Sequence, residues 1–264
     1  MSDLPIALTV AGTDPTGGAG VFADLKAMHS RDVYGMAAVT SLTAQNTMGV
    51  QDVYNIPADF IDKELNSIFS DEMPHAMKTG MLAETDMMFV IAEYIRKYNI
   101  PYVMDPVMIA TSGDRLMTPE AMNTLIETLI PLASVVTPNL HEAAAITGMK
   151  ITEEADIHQA LKIIVDDMQA GSVIIKGGHL EGDARDYLYD GQTITTLSAK
   201  RIQTNQTHGT GCTFSAVLTA ELAKGRTIQQ AFKTSKAYIT NAIEHSPGIG
   251  RGNGPVNHFS YKGE

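Results

Sequence analysis

The 264 residues contain one cysteine, Cys212. An internal disulfide is therefore impossible, and the small disulfide-stapled scaffold is excluded. A basic arm is also missing. Lys and Arg number 19 against 30 Asp and Glu, a net charge of −11. That balance argues against broad binding to nucleic-acid phosphates or to an anionic membrane, while leaving room for a local basic pocket around a small anion. Long apolar runs are absent: Ile6 to Ala11, the first candidate, is too short to span a bilayer and has no positive flank of a signal segment. The expectation is a cytoplasmic protein with neither nucleic-acid nor membrane partners. Low-complexity tracts, fixed-period repeats and Pro/Ser-rich linkers are lacking too, so residues 1–264 are expected to form a single domain. What is present is 44% hydrophobic residues, 19% charged residues and 22 glycines, a composition able to bury a large core.

Short apolar runs rich in β-branched residues occur at Ile6 to Val10, Ala37 to Leu42, Tyr102 to Met104, Val135 to Thr137 and Val173 to Ile175. They read as buried strands. Between them, Ile157, Leu161, Ile164 and Met168 repeat at helical spacing, as do Phe214, Val217, Leu218 and Leu222, a pattern closed by Lys224 and Gly225. Alternating strands and helices favour an α/β fold with a parallel sheet, because each parallel pair needs a crossover that covers a sheet face. Tyr187 to Leu197, with Asp190-Gly191 at its centre, reads as an edge hairpin.

In such sheets ligands gather beyond the carboxyl ends of the strands. The first strand runs into Ala11-Gly12-Thr13-Asp14-Pro15-Thr16-Gly17-Gly18-Ala19-Gly20 and a helix carrying Asp24. This is neither a dinucleotide fingerprint nor a Walker loop, since no Lys-Ser/Thr follows the last glycine. Small residues there either admit a ligand ring close to the backbone or simply make a tight turn. The second glycine turn, His208-Gly209-Thr210-Gly211-Cys212, opens the helix ending near Lys224. Amides at a helix start, reinforced by the dipole, make a cradle for an anion such as a phosphoryl group in flight. The same field would depress the Cys212 thiol pKa and prepare a base. Alternatively, Cys212 is a small packing residue. A Cys/His hydrolase is disfavoured, because His208 lies across a glycine turn and no third orienting group is indicated.

Asp105 follows one strand, and Asn139 with Glu142 opens a helix after another. Acidic oxygens at two strand ends suit a magnesium ion that keeps waters and shares phosphates. Asn139 and Glu142 also have the spacing of a capping box. Lys176 ends a strand ahead of Gly177 and Gly178, where it can meet a phosphate or simply be solvated.

The segments AGTDPTGGAG and ADLK (11–26), YGM (34–36), TAQNT (43–47), KTGML (78–82), DPVM (105–108), TPNLHEA (137–143), IKGGH (175–179) and HGTGCTFSA (208–216) follow one another along almost the whole chain. Together they resemble the ribokinase-fold vitamin kinases, and more closely the hydroxymethylpyrimidine/phosphomethylpyrimidine kinases. The resemblance implies a three-layer αβα sandwich with a mostly parallel central sheet. It also implies ATP-dependent phosphorylation of 4-amino-5-hydroxymethyl-2-methylpyrimidine and then of its monophosphate, in thiamine biosynthesis, commonly by a homodimer. Residue by residue, it implies that Gln45 reads the aminopyrimidine edge and that Gly12, Ala19, Asp24, Met81 and Val107 line the ring pocket. Asn139, Lys176, Gly178 and Thr213 would contact ATP, and Asp105 and Glu142 would hold Mg2+. Gly209, Thr210 and Gly211 would form the anion hole, with Cys212 where related sugar kinases carry a catalytic Asp.

Pro15, Thr16, Phe22 and Thr111 depart from the family's usual residues. Thr111 replaces a lysine in a flap spanning 109–116, with Arg115 a candidate substitute for its charge. Pyridoxal or pyridoxine kinase of vitamin B6 salvage is the rival reading; Gln45 and Thr210 favour the pyrimidine. A ligand sensor without catalysis is disfavoured by the joint presence of Asp105, Glu142, Lys176 and the anion turn.

Overall fold

The computed structural model describes residues 4–108, 117–177, 182–261 and 263. In chain order the strands are β1 (Ile6–Ala11), β2 (Tyr34–Val39), β3 (Ser41–Asn46), β4 (Gly49–Asn55), β5 (Ala76–Thr79), β6 (Tyr102–Met104), β7 (Val135–Val136), β8 (Val173–Gly177), β9 (Ala184–Tyr189) and β10 (Ile194–Ala199). The helices are α1 (Gly20–Ser30), α2 (Ala58–Asp71), α3 (Thr85–Tyr98), α4 (Pro119–Thr124), α5 (Leu140–Thr147), α6 (Glu154–Lys162), α7 (Thr210–Ala223) and α8 (Ile228–Glu244).

Eight strands make one sheet in the order β10-β9-β8-β7-β6-β5-β1-β2. The run from β2 to β8 is parallel, and the β9–β10 hairpin closes one edge antiparallel. Its turn is set by the Asp190 carboxylate, which accepts from the amides of Gln192 and Thr193 at 3.0 and 2.8 Å. Parallel strands covered on both faces are largely apolar, and so is β1 apart from Thr9: Leu8 and Val10 enter the core with Ile61 and Leu65 of α2 and Ile91 of α3. Ala7 faces Met28 of α1, Phe214 and Val217 of α7 and Phe232 of α8. The product is the expected αβα sandwich. Helix α7 is buried at nearly every position from Thr213 to Ala223, so it forms the middle of its layer, between α1 and α8.

One expectation needs correction, and one strand was missed. The apolar run from Ala37 to Leu42 is not one strand: it divides at Thr40, with β2 in the main sheet and β3 pairing only with β4 in a separate two-stranded sheet. Thr40 is where the chain leaves, because its amide donates to the Ala11 carbonyl at 3.0 Å and its hydroxyl to the Met81 carbonyl at 2.8 Å. Strand β5 was not anticipated; a lysine, Lys78, interrupts its apolar pattern yet is fully buried.

Candidate active site

β1 pairs with both β2 and β5, so the sheet's connection order switches beside it. A crevice opens at the carboxyl ends of strands at such a point. Here a cavity of about 610 Å³ runs from Gln45 on β3, past the ends of β1, β5, β6 and β8, to Ile239 and Ile243 on α8. The two glycine turns meet over it backbone to backbone. Gly209 has φ +74°, and a β-carbon there would overlap the Gly18 carbonyl oxygen. Only glycine allows both the left-handed backbone and that approach.

At the centre, the start of α7 faces Asp105 and Lys176. A β-carbon at Gly211 would lie 3.3 Å from Lys176 Nζ and 3.7 Å from Asp105 Oδ2. Gly209 is the N-cap and no side chain caps the helix. The Thr210 amide donates to the Thr207 carbonyl at 3.2 Å, which leaves the Gly211 and Cys212 amides without intrahelical partners. The free amide donors at this helix start are therefore those of Gly211 and Cys212, while the Thr210 amide is occupied.

Opposite them, Lys176 Nζ donates to Asp105 Oδ1 at 3.2 Å, while Ser215 and Thr137 donate to the same carboxylate at 3.1 and 3.3 Å. Burial would lower the Lys176 pKa, but Asp105 and Glu142 beside it hold it above the ordinary lysine range. Glu142 is pushed up to about 7 by burial, against the opposing pull of Lys176 and with the help of Asp105. The capping box is formed: the Asn139 side chain accepts from the Glu142 amide at 2.9 Å, and Glu142 Oε2 from the Asn139 amide at 2.8 Å. Both side chains nevertheless line the cavity. Capping thus orients Glu142 toward the space between Asp105 and Lys176.

Cys212 reverses one expectation. Burial pushes its thiol up to about 12; Lys78 pulls the other way, Asp24 and Asp105 add to the rise, and the Gly20 amide at the start of α1 lowers it again. The helix field does not win, since burial costs the thiolate more than a helix start returns.

Gly12, Ala19, Gln45, Met81 and Val107, expected to line a ring pocket, all line the cavity. On β3, Thr43 and Gln45 face inward while Leu42, Ala44 and Asn46 are exposed. The pairing with β4 shifts register between Ala44 and Gln45, where Gln51 of β4 is skipped. Two other residues do not reach the cavity wall. Asp24 is fully buried behind it, paired with Lys78 Nζ at 2.7 Å and accepting from Thr9 at 2.6 Å. Thr213 is also fully buried, its hydroxyl 2.9 Å from His258 Nε2. Gly178, Thr111 and Arg115 lie outside the described residues.

Sequence reasoning did not find Lys78, nor the pair of Lys236 and Asp186, 2.9 Å apart in the wall beside α8. Nor did it find the carboxylate of Asp14, 2.7 Å from His208 Nε2. His208 does have an orienting acid, but one separated from it by 194 positions.

Free amides at a helix start, a lysine and two carboxylates around one open space are the groups of a phosphate-handling α/β enzyme. The family model for phosphomethylpyrimidine kinase matches residues 14–257. A hydroxymethylpyrimidine/phosphomethylpyrimidine kinase of Staphylococcus aureus (strain MSSA476) is 54% identical over 259 residues, 97% of this chain and 94% of that protein. Among solved structures, an ADP complex of Bacillus subtilis pyridoxal kinase superposes with a TM-score of 0.91 at 40% identity, covering 98% of both chains. Phosphomethylpyrimidine kinase from Clostridium difficile 630 gives 0.81 at 40% identity, covering 90% of this chain and 99% of its own. The chain belongs to the phosphomethylpyrimidine kinase family, and its fold is that of the ribokinase-like vitamin kinases.

Proposed function

We infer that this chain transfers the γ-phosphoryl group of ATP to the hydroxymethyl oxygen of 4-amino-5-hydroxymethyl-2-methylpyrimidine, and then to the phosphate of the product. The observation that supports the reading is one continuous cavity with the Gln45 amide at one end and the Gly211 turn facing Lys176 and Asp105 at its centre. In the first step the alcohol oxygen forms a bond to the γ-phosphorus while the bond to the β–γ bridging oxygen breaks and ADP departs. The hydroxyl proton leaves to solvent or to a phosphate oxygen. In the second step the acceptor is a phosphate oxygen, already ionised near neutral pH. The transition state is loose and its charge lies on the peripheral oxygens, so Gly211 and Cys212 amides with Lys176 supply stabilisation by position alone.

The donor set fits a magnesium ion. Asp105 and Glu142 are two carboxylates at adjoining strand ends, the number such an ion takes when waters and phosphates complete its shell. No group of three or more acidic, His or Cys residues suited to a protein-only metal cage occurs among the described residues. Bound there, magnesium would neutralise phosphate charge and favour the ionised form of Glu142. The apolar slot of Ile239, Ile243 and Ile202 suits the nucleobase.

Purified protein given ATP, magnesium and each acceptor separately tests the reading. Phosphorylation of the aminopyrimidine and of its monophosphate, well above that of pyridoxine or pyridoxal, is expected. Preference for pyridoxal would favour the second reading, which the likeness to the Bacillus subtilis pyridoxal kinase supports.

We place the enzyme in the cytoplasm as a homodimer. Among the described residues no helix is long and apolar enough to cross a membrane. The outer face of β3–β4 presents Leu42 opposite Tyr54, 47% and 64% exposed, with Met48 at 68% near the turn, an apolar patch that a second copy would cover. Tyr54→Asp should shift the mass in solution, read by light scattering, from dimer to monomer.

A further inference from the structure

The contact between Gln45 and His208 contains a chemical contradiction that the surrounding atoms resolve. Asp14 is buried, and its carboxylate accepts from the Thr16 amide at 2.9 Å, the Thr16 hydroxyl at 2.8 Å and the Ala19 amide at 2.9 Å. Burial would raise its pKa, but the hydrogen bonds from His208 and Thr16 hold it below the usual carboxylate range. An ionised carboxylate only accepts. His208 Nε2, 2.7 Å from Asp14 Oδ2, must therefore carry a hydrogen. The Gln45 amide nitrogen faces the same Nε2 at 3.3 Å, and two donors cannot share one contact. Which end of a glutamine amide is nitrogen is settled by its neighbours, and here they require the oxygen at His208 and the NH₂ group in the cavity.

The His208 ring packs closely against Gly18 on one side. A β-carbon at Gly18 would lie 2.8 Å from its Cδ2. Its amide donates to the Gly254 carbonyl at 3.0 Å. With Oε1 as the second and longer acceptor of the His208 Nε2–H, which Asp14 shares, Gln45 offers a ligand its other lone pair and an N–H in one fixed order. That order matches a ring nitrogen beside an exocyclic amine, much as an amide reads adenine. A pyridine ring bearing hydroxyl and hydroxymethyl groups has no such edge.

We propose that Asp14 and His208 are positioning residues that fix which way round the Gln45 amide faces, and thereby set selectivity for aminopyrimidine over pyridine alcohols. The proposal rests on the functional reading above. Its readout is the ratio of kcat/KM for the aminopyrimidine to that for pyridoxine, in the unaltered protein, in His208→Phe, in Asp14→Asn, and in each combined with Gln45→Ala. The ratio should fall about tenfold in either single variant, the scale of one hydrogen bond lost, with KM for ATP unmoved. It should fall no further when either change is added to Gln45→Ala, because the amide through which both act is then gone. An unchanged ratio, or the same fall in the Gln45→Ala background, overturns the proposal. Should His208→Phe fail to fold by circular dichroism, Asp14→Asn decides, since Asn keeps an acceptor for the loop amides. An unaltered protein that phosphorylates neither ring would overturn the functional reading and this assignment together; an active one with an unmoved ratio overturns the assignment alone.

Discussion

Cys212 is where residue chemistry most constrains the mechanism. A thiol that burial pushes up to about 12 is poorly suited to take a proton from an alcohol at neutral pH. The two acceptors separate the possibilities, because an alcohol carries a proton to be removed and a phosphate monoester does not. Cys212→Ala should keep turnover within about tenfold in both steps, as expected when backbone amides rather than a side-chain base carry the acceleration. A loss of a hundredfold or more confined to the alcohol step would restore the thiolate as base. Asp24 makes its contribution at the same scale, through Lys78. The Asp24–Lys78 pair has no exposed side-chain surface, and Lys78 Nζ also reaches the Cys212 carbonyl at 3.4 Å. Removing one partner strands a charge in the core, so Lys78→Met should destabilise the protein by about 3–5 kcal/mol. The double change Lys78→Met/Asp24→Leu should recover part of that loss in urea unfolding, whereas additive losses would mean the pair is not coupled.

At the scale of elements, what could be read from sequence was local. The first-strand run, the Asp190-Gly191 hairpin and the α7 periodicity each depend on neighbours a few residues apart, and each was legible. Thr40 was not: the chain breaks there through bonds to Ala11 and Met81, whose positions depend on the assembled sheet. β5 was hidden for a related reason, since a lysine in a strand reads as exposed until its buried partner on α1 is known. The candidate site divides the same way. Gly209, Gly211 and the Asn139/Glu142 box carry local signals, while the Asp14–His208 contact does not. The junction of the two glycine turns gives a prediction for the element they form. Gly209→Ala must abandon φ +74° or collide with the Gly18 carbonyl, at a cost of at least about 1–2 kcal/mol from the left-handed backbone alone. Because the start of α7 would shift, kcat should fall about a hundredfold or more. A variant with parental kcat would detach the turn contact from catalysis.

Across the whole molecule, the C-terminal segment ties the two sides of the site to the helical layer. Gly254 accepts from the His208 amide at 3.0 Å, the Asn257 amide donates to the Ala242 carbonyl at 2.9 Å, and Tyr238 donates to the His258 carbonyl at 2.9 Å. His258 itself is buried, with Nε2 2.9 Å from the Thr213 hydroxyl on α7. Burial, with a smaller push from Lys26, lowers its pKa from 6.5 to about 4. In the folded protein His258 is therefore neutral at pH values where the unfolded chain has taken up a proton. The unfolded state binds more protons throughout this window, so stability rises with pH within it. The contribution is fully present above about pH 6.5, is lost progressively as the pH falls toward 4, and changes no further below that. A gap of this size corresponds to about 3 kcal/mol. His258→Asn removes the titration while leaving a polar group for Thr213. Thermal unfolding from pH 7.5 to 4.5 should show the parent losing Tm more steeply than the variant, with the two curves converging on the acid side. Parallel curves across the range would mean that His258 titrates alike in the folded and the unfolded chain, so that its burial contributes nothing to the pH dependence of stability.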